Sequence, residues 1–149
     1  MKIFLGADHR GFRLKEQLKN WLEAEGHEVV DMGNYKYDPE DDFPDFAVAV
    51  GERVVKGEGI GILMCGSGGM ALAANKIKGV RAVEVWDEER GAHALSHDRV
   101  NVLALPADVV DVEMAKKIIK AGLATLPRTE EKYERRLKKI DAIETRFMR

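Results

Sequence analysis

Short apolar runs recur along the chain, each ending at a glycine or an acidic cluster and each followed by a stretch whose apolar residues return every three or four positions. Five runs, at residues 3–7, 28–32, 60–64, 80–85 and 102–105, read as strands. Most are continuously apolar rather than alternating, as expected for strands covered on both faces. Between them Phe12, Leu14, Leu18, Trp21 and Leu22 form a helical stripe that Gly26 can end. Phe46, Ala47, Val50, Val54 and Val55 form another before Gly57, with Pro44 suited to its first turn. A third helix is expected after Cys65, running to about Lys78. Asp87, followed by Glu88 and Glu89, and Asp111, followed by the stripe Met114, Ile118 and Leu123, read as N-caps of two more. Strand and helix in alternation predict an α/β fold, a parallel sheet of five strands with helices packed on it.

The pattern restarts after Leu126-Pro127. From Thr129 onward Tyr133, Leu137, Ile140, Ile143 and Phe147 repeat at helical spacing among many Lys and Arg. This predicts an extra C-terminal helix, either folded back on its own sheet or reaching as an arm onto a second subunit. Residues 1–126 are then the α/β domain and 127–149 an amphipathic helix belonging to it, since 149 residues suffice for one core and not for two. With 24 basic against 26 acidic residues there is no basic excess to hold nucleic acid. No apolar run is long enough to span a bilayer, and the first strand turns polar at Asp8-His9-Arg10 before a signal-peptide core could form, so a cytoplasmic protein with no membrane partner is expected. A single cysteine excludes an internal disulfide and a thiolate zinc cage, leaving Cys65 as a small buried hydrophobe or a reactive thiol.

Ligands of open parallel sheets bind outside the carboxyl ends of the strands, which directs attention to the residues after each run. Asp8-His9-Arg10-Gly11 follows the first, Cys65-Gly66-Ser67-Gly68-Gly69 follows the third, and His97-Asp98-Arg99 with Asn101 precedes the fifth. Three glycines in five residues at a strand-to-helix junction let backbone N–H groups converge on an anion. The loop lacks the Gly-Lys-Ser/Thr ending of a Walker A and the spacing of a dinucleotide loop. A helix starting there would lower the pKa of Cys65 and favour a thiolate. His93 and His97 have metal-ligand spacing but neither a zincin Glu nor an evident third ligand, so no metal is expected. His9 is either a ligand-binding group or a capping side chain. Lys132, Arg135 and Arg136 are a solvated face or, in a dimer, a phosphate grip, and residues 38–42 read as a solvated acidic connector.

The segments Gly6-Ala7-Asp8-His9-Arg10-Gly11-Phe12, Asp42-Phe43-Pro44, Cys65-Gly66-Ser67-Gly68 running on to Ala73-Ala74-Asn75-Lys76, Gly79-Val80-Arg81-Ala82, and His97 with Asn101-Val102-Leu103 carry a family likeness over nearly the whole chain. The chain resembles the ribose-5-phosphate isomerase B family, within the wider group that includes galactose-6-phosphate isomerase subunits. The resemblance implies a three-layer Rossmann-like, or flavodoxin-like, fold and a homodimer or dimer of dimers. It implies an enzyme of the pentose phosphate pathway that interconverts an aldose phosphate and its ketose through a cis-enediolate, with no metal or organic cofactor. It makes Cys65 the carbon base, with backbone N–H groups of Gly66, Gly68 and Gly69 on the enediolate oxygen and Ser67 standing where the family has Thr. His97 would open the sugar ring, Asp8 would orient a hydroxyl, and His9, Lys132 and Arg136 would grip the phosphate, the last two from a second subunit.

Departures from the family pattern are also visible. The glycine loop is one residue shorter, Asp98 replaces an Asn among the substrate-binding residues, and Arg99 replaces an Asp. Asp108 stands where an Arg is common, Lys132 replaces the first Arg of the C-terminal pair, and Phe43 replaces an aromatic hydroxyl. Alternatives are isomerisation of a six-carbon sugar phosphate, or a non-catalytic module binding a sugar phosphate, nucleotide or flavin. A signalling receiver would need an Asp where Cys65 ends its strand.

Overall fold

The computed structural model describes residues 1–148. Five strands, β1 (Lys2–Ala7), β2 (Glu28–Asp31), β3 (Ile60–Cys65), β4 (Ala82–Glu84) and β5 (Val102–Pro106), form one all-parallel sheet in the order β2-β1-β3-β5-β4. Six helices connect or follow them: α1 (Phe12–Ala24), α2 (Phe43–Val54), α3 (Gly69–Ala74), α4 (Glu88–His97), α5 (Val112–Leu123) and α6 (Glu131–Phe147). None is long and apolar enough to cross a membrane.

The side-chain period of two sorts each strand between two cores. Ile3, Leu5, Ile62, Met64, Leu103 and Leu105 face α1, α4 and α5, whereas Phe4, Leu63, Cys65, Ala82, Val102 and Ala104 face α2 and α3. This three-layer, Rossmann-like arrangement accounts for continuous apolar runs: both faces of β1, β3 and β5 are removed from water, at about 2 kcal/mol of stabilisation for each large side chain. Gly6 and Gly61 bring α2 close, since a Cβ at either would meet Val50 at 2.9 or 2.5 Å. Asp87 and Asp111 cap α4 and α5 as expected, accepting from the N–H of Arg90 and Met114.

One helix differs from expectation, and the C-terminal one forms as expected. The helix after Cys65 is only the six residues of α3 and does not reach Lys78. Asn75 ends it by turning its side-chain amide onto both backbone groups of Ala82 at 2.8 Å, and the chain reaches β4 through tight turns. The C-terminal helix forms over residues 131–147, yet none of its residues is buried: Ile140, Ile143 and Phe147 are 46%, 60% and 70% exposed. Its polar ties to the rest of the chain are Glu144, accepting from the Gly79 N–H at 2.6 Å, and Glu134, pairing with Arg99; Tyr133 adds an edge-on contact with His97.

Candidate active site

The carboxyl edge of the sheet collects Asp8, His9, Arg10, the 65–69 loop, Glu84 and Asp108 in one place. The turn after β1 is tightened by Asp8, whose Oδ1 accepts from the N–H groups of Arg10 and Gly11 at 3.0 and 3.1 Å. No side chain fits at Gly11: a Cβ there would lie 2.1 Å from the Met64 carbonyl, so glycine lets the start of α1 touch the end of β3. Burial pushes the Asp8 carboxyl above its usual range, against the lowering effect of those two N–H groups.

His9 is held by an acidic loop residue 32 positions away. Its Nδ1 lies 2.7 Å from Asp41 Oδ1, its backbone N–H donates to the same oxygen, and Asn34 donates to the other at 3.2 Å. The hydrogen bond to Asp41 raises the His9 imidazole. Burial alone would raise Asp41, but the donors on it win and hold it low. The acidic connector is therefore not wholly solvated: the Asp41 side chain is 5% exposed and orients His9. Ligand-type atoms of Asp8, His9 and Asp41 all lie within 4.8 Å of one another, but Asp8 Oδ1 and His9 Nδ1 are already spent on hydrogen bonds.

Cys65 ends β3 with its thiol 2.6 Å from the Ser67 carbonyl, to which it donates. Burial pushes this thiol up, with Asp8 and Glu84 adding to the shift, while backbone groups of Met70 and Ser67 pull the other way. The expected lowering by a helix N-terminus is thus overturned: α3 is too short to supply much field, and desolvation dominates. The N–H groups of Gly68 and Gly69 donate to no described acceptor, so the loop presents free donors beside the thiol. Arg10 lies across Gly66 and pairs with Asp108, Phe43 walls the loop at Gly69, and the Glu84 carboxylate stands against Gly68. Glu84 and Asp41 are the members that sequence reading missed. Glu84 was legible in one respect, being two residues from Ala82 on the same strand face.

The remaining expected residues lie elsewhere in the chain. Helix α4 runs back across the sheet, so its ten residues carry His97 and Asp98 about 15 Å away, to the amino edge where β5 begins. There His97 stacks on His93 at 4.0 Å, meets the Tyr133 ring edge-on at 4.9 Å, and has Nδ1 2.7 Å from the Ser96 hydroxyl. Arg128, Lys132 and Arg136 surround Tyr133, each cation within 5.1 to 5.7 Å of its ring. Within one chain His97, Asp98, Lys132 and Arg136 therefore cannot share a substrate with Cys65. Arg99 and Arg135 are engaged by Glu134 and Glu131.

Comparison with known proteins identifies the family. Residues 3–140 match the family model described as Ribose/Galactose Isomerase. The chain is 34% identical over 139 residues to ribose-5-phosphate isomerase B of Mycobacterium tuberculosis, covering 92% of this chain and 86% of that one. Ribose-5-phosphate isomerase B of Clostridium thermocellum superposes with a TM-score of 0.94 at 35% identity, over 99% of both chains. That of Mycoplasma genitalium, solved with bound ribulose-5-phosphate, superposes with a TM-score of 0.92 at 38% identity, over 97% of this chain and 96% of the other. On sequence, fold and coverage together, this chain belongs to the ribose/galactose isomerase family.

Proposed function

We infer that this protein is an aldose–ketose isomerase that interconverts ribose 5-phosphate and ribulose 5-phosphate in the cytoplasm. The observation that carries the reading is a thiol at a strand end beside a loop of free backbone N–H donors, a base and an oxyanion cradle in one place. The bound ribulose-5-phosphate of the Mycoplasma genitalium relative supports it. Cys65, as the thiolate, takes the proton from C2 and returns it to C1. The N–H groups of the 66–69 loop stabilise the enediolate oxygen, and Ser67 adds its hydroxyl there. Asp8, with Oδ1 committed to the turn, offers Oδ2 to a sugar hydroxyl.

The amino-edge residues complete the site from a second copy, with α6 as the dimer arm. Two facts favour this: α6 leaves Ile140, Ile143 and Phe147 exposed, and the carboxyl edge holds its cations His9 and Arg10 against Asp41 and Asp108. A doubly charged phosphate needs more positive charge than that edge supplies. Lys132 and Arg136 of a partner supply it, and His97 from the same edge moves the proton that opens the ring, with Asp98 against a sugar hydroxyl.

The test is to mix metal-stripped protein with ribose 5-phosphate in heavy water and follow ribulose 5-phosphate and deuterium at C2 by NMR, with galactose 6-phosphate in parallel. Turnover of ribose 5-phosphate with exchange is expected. Turnover of the six-carbon sugar alone would reassign the substrate, and inertness toward both would remove the isomerase reading.

A further inference from the structure

Aldose–ketose isomerisation moves two protons, one between carbons and one between oxygens, and Cys65 accounts only for the first. A second group belongs where O1 and O2 would lie, beside the thiol and the 66–69 loop. The sheet puts one there. Ala82 and Glu84 share a face of β4, and Ala82 belongs to the same core as Cys65, so Glu84 points to the thiol's side of the sheet and not away from it. Between them runs β5, whose residue at the level of Glu84 is Ala104, also paired with Leu63 of β3. A methyl group there leaves room for the longer side chain to pass over. Glu84 Oε2 consequently lies 2.7 Å from where a Cβ on Gly68 would sit, in the middle of the donor loop. Glu84 is half-buried, whereas its neighbour Val83, on the other face, is the residue turned to solvent.

We propose that Glu84 is the second acid–base group of this site, carrying a proton between O1 and O2 of the sugar while Cys65 carries one between C2 and C1. The proposal rests on the isomerase reading above. From aldose to ketose, the Glu84 carboxylic acid gives its proton to O1 as the Cys65 thiolate takes the proton from C2. The C1=O double bond becomes C1–OH and a C1=C2 bond forms. The O2–H of this enediol then returns a proton to the Glu84 carboxylate while Cys65 gives its proton to C1, and C2=O forms. Both groups end as they began. The working pair, thiolate with carboxylic acid, has the same charge as thiol with carboxylate and differs from it only by one internal proton transfer. Asp8, from the turn after β1, and Arg10, lying across Gly66, are the other charged groups around the thiol.

The experiment compares wild type, E84Q and E84D with ribose 5-phosphate in heavy water, measuring both ketose formed and deuterium at C2 of the recovered aldose. E84Q is expected to slow isomerisation by about 100-fold. It should also raise the ratio of deuterated aldose to ketose, because the carbon step still occurs and reverses more often; E84D should restore part of the rate. Turnover close to wild type, or a loss with the ratio unchanged, would overturn the proposal, the second outcome marking a merely structural role. Should wild type itself not isomerise the sugar, the isomerase reading fails separately, and the rate of Cys65 alkylation against pH decides whether Glu84 faces the thiol. Removing its charge in E84Q must shift that profile to lower pH, and an unmoved profile would overturn the placement.

Discussion

At the carboxyl edge of the sheet the functional atoms are fixed by backbone: Asp8 is bound to two N–H groups, Cys65 to a carbonyl, and Gly11 permits contact with β3 that no other residue would. At the amino edge they are carried by side chains on the last turn of α4 and on a helix with no buried residue, held by ring stacking and ion pairs. The first edge gathers a thiol, carboxylates and free N–H donors with its cations paired to carboxylates; the second is an aromatic cluster ringed by Arg128, Lys132 and Arg136. On the proposal above, the two edges belong to different sites, each completed by another copy.

The most direct way to break this comparison is to disable the halves separately. Cys65→Ala should abolish turnover, by a factor of at least about 1,000, while sugar-phosphate binding persists; His97→Ala should slow the ring-closed sugar more than the open-chain ketose. Mixing the two variants under exchange, assayed with the ring-closed sugar, should then bring activity to about a quarter of wild type, since random pairing of a two-fold dimer rebuilds one whole site in half the dimers. Activity that stays absent in the mixture, with subunit exchange shown by mass, would return both halves to one chain and sink the shared site.

How much of this was legible beforehand differs between the edges for a physical reason. Strand-end loops declare themselves through glycine clusters and alternating periods, so Asp8, His9 and the Cys65 loop could be found by reading along the chain. That His97 belongs to the other edge follows only from the direction of α4, which the same periodicity does not express. Asp41 was out of reach because a pairing across 32 residues leaves no local trace. The end of α3 at Asn75 likewise depends on Ala82, across the sheet edge, overriding helix propensity. The raised thiol of Cys65 needed burial, which a motif does not reveal.

A smaller effect sharpens the electrostatic side of the comparison. His9, raised by Asp41, stays protonated to higher pH than an ordinary imidazole, and Asp41, lowered, stays ionised to lower pH. The pair's contribution to stability is therefore lost as pH rises through the raised His9 value and, on the acid side, as it falls through the depressed Asp41 value. Asp41→Asn should bring the His9 titration down when followed by NMR, and should weaken sugar-phosphate binding by about threefold at slightly alkaline pH, with the loss shrinking toward pH 5.5 where His9 is protonated in both proteins. An unmoved His9 titration would mean that Asp41 merely positions the ring.

The smallest effect concerns the Asp108 carboxylate, which stands where the resemblance leads one to expect an arginine. Asp108 pairs with Arg10, and both side chains are about half exposed, at 45% and 52%. An exposed pair of this kind adds little to stability, so Asp108→Asn should change the melting temperature hardly at all. Its electrostatic consequence is different in kind. The Arg10 guanidinium lies over Gly66, at the mouth of the donor loop, and Asp108 cancels its charge toward an approaching dianion. Releasing that charge should lower KM for the sugar phosphate by about two- to threefold at low salt with kcat unchanged, and the gain should fade as ionic strength rises and screens it. A KM that does not respond, or a gain that survives high salt, would place Arg10 outside the substrate's field and leave phosphate recognition to His9 and the partner's edge.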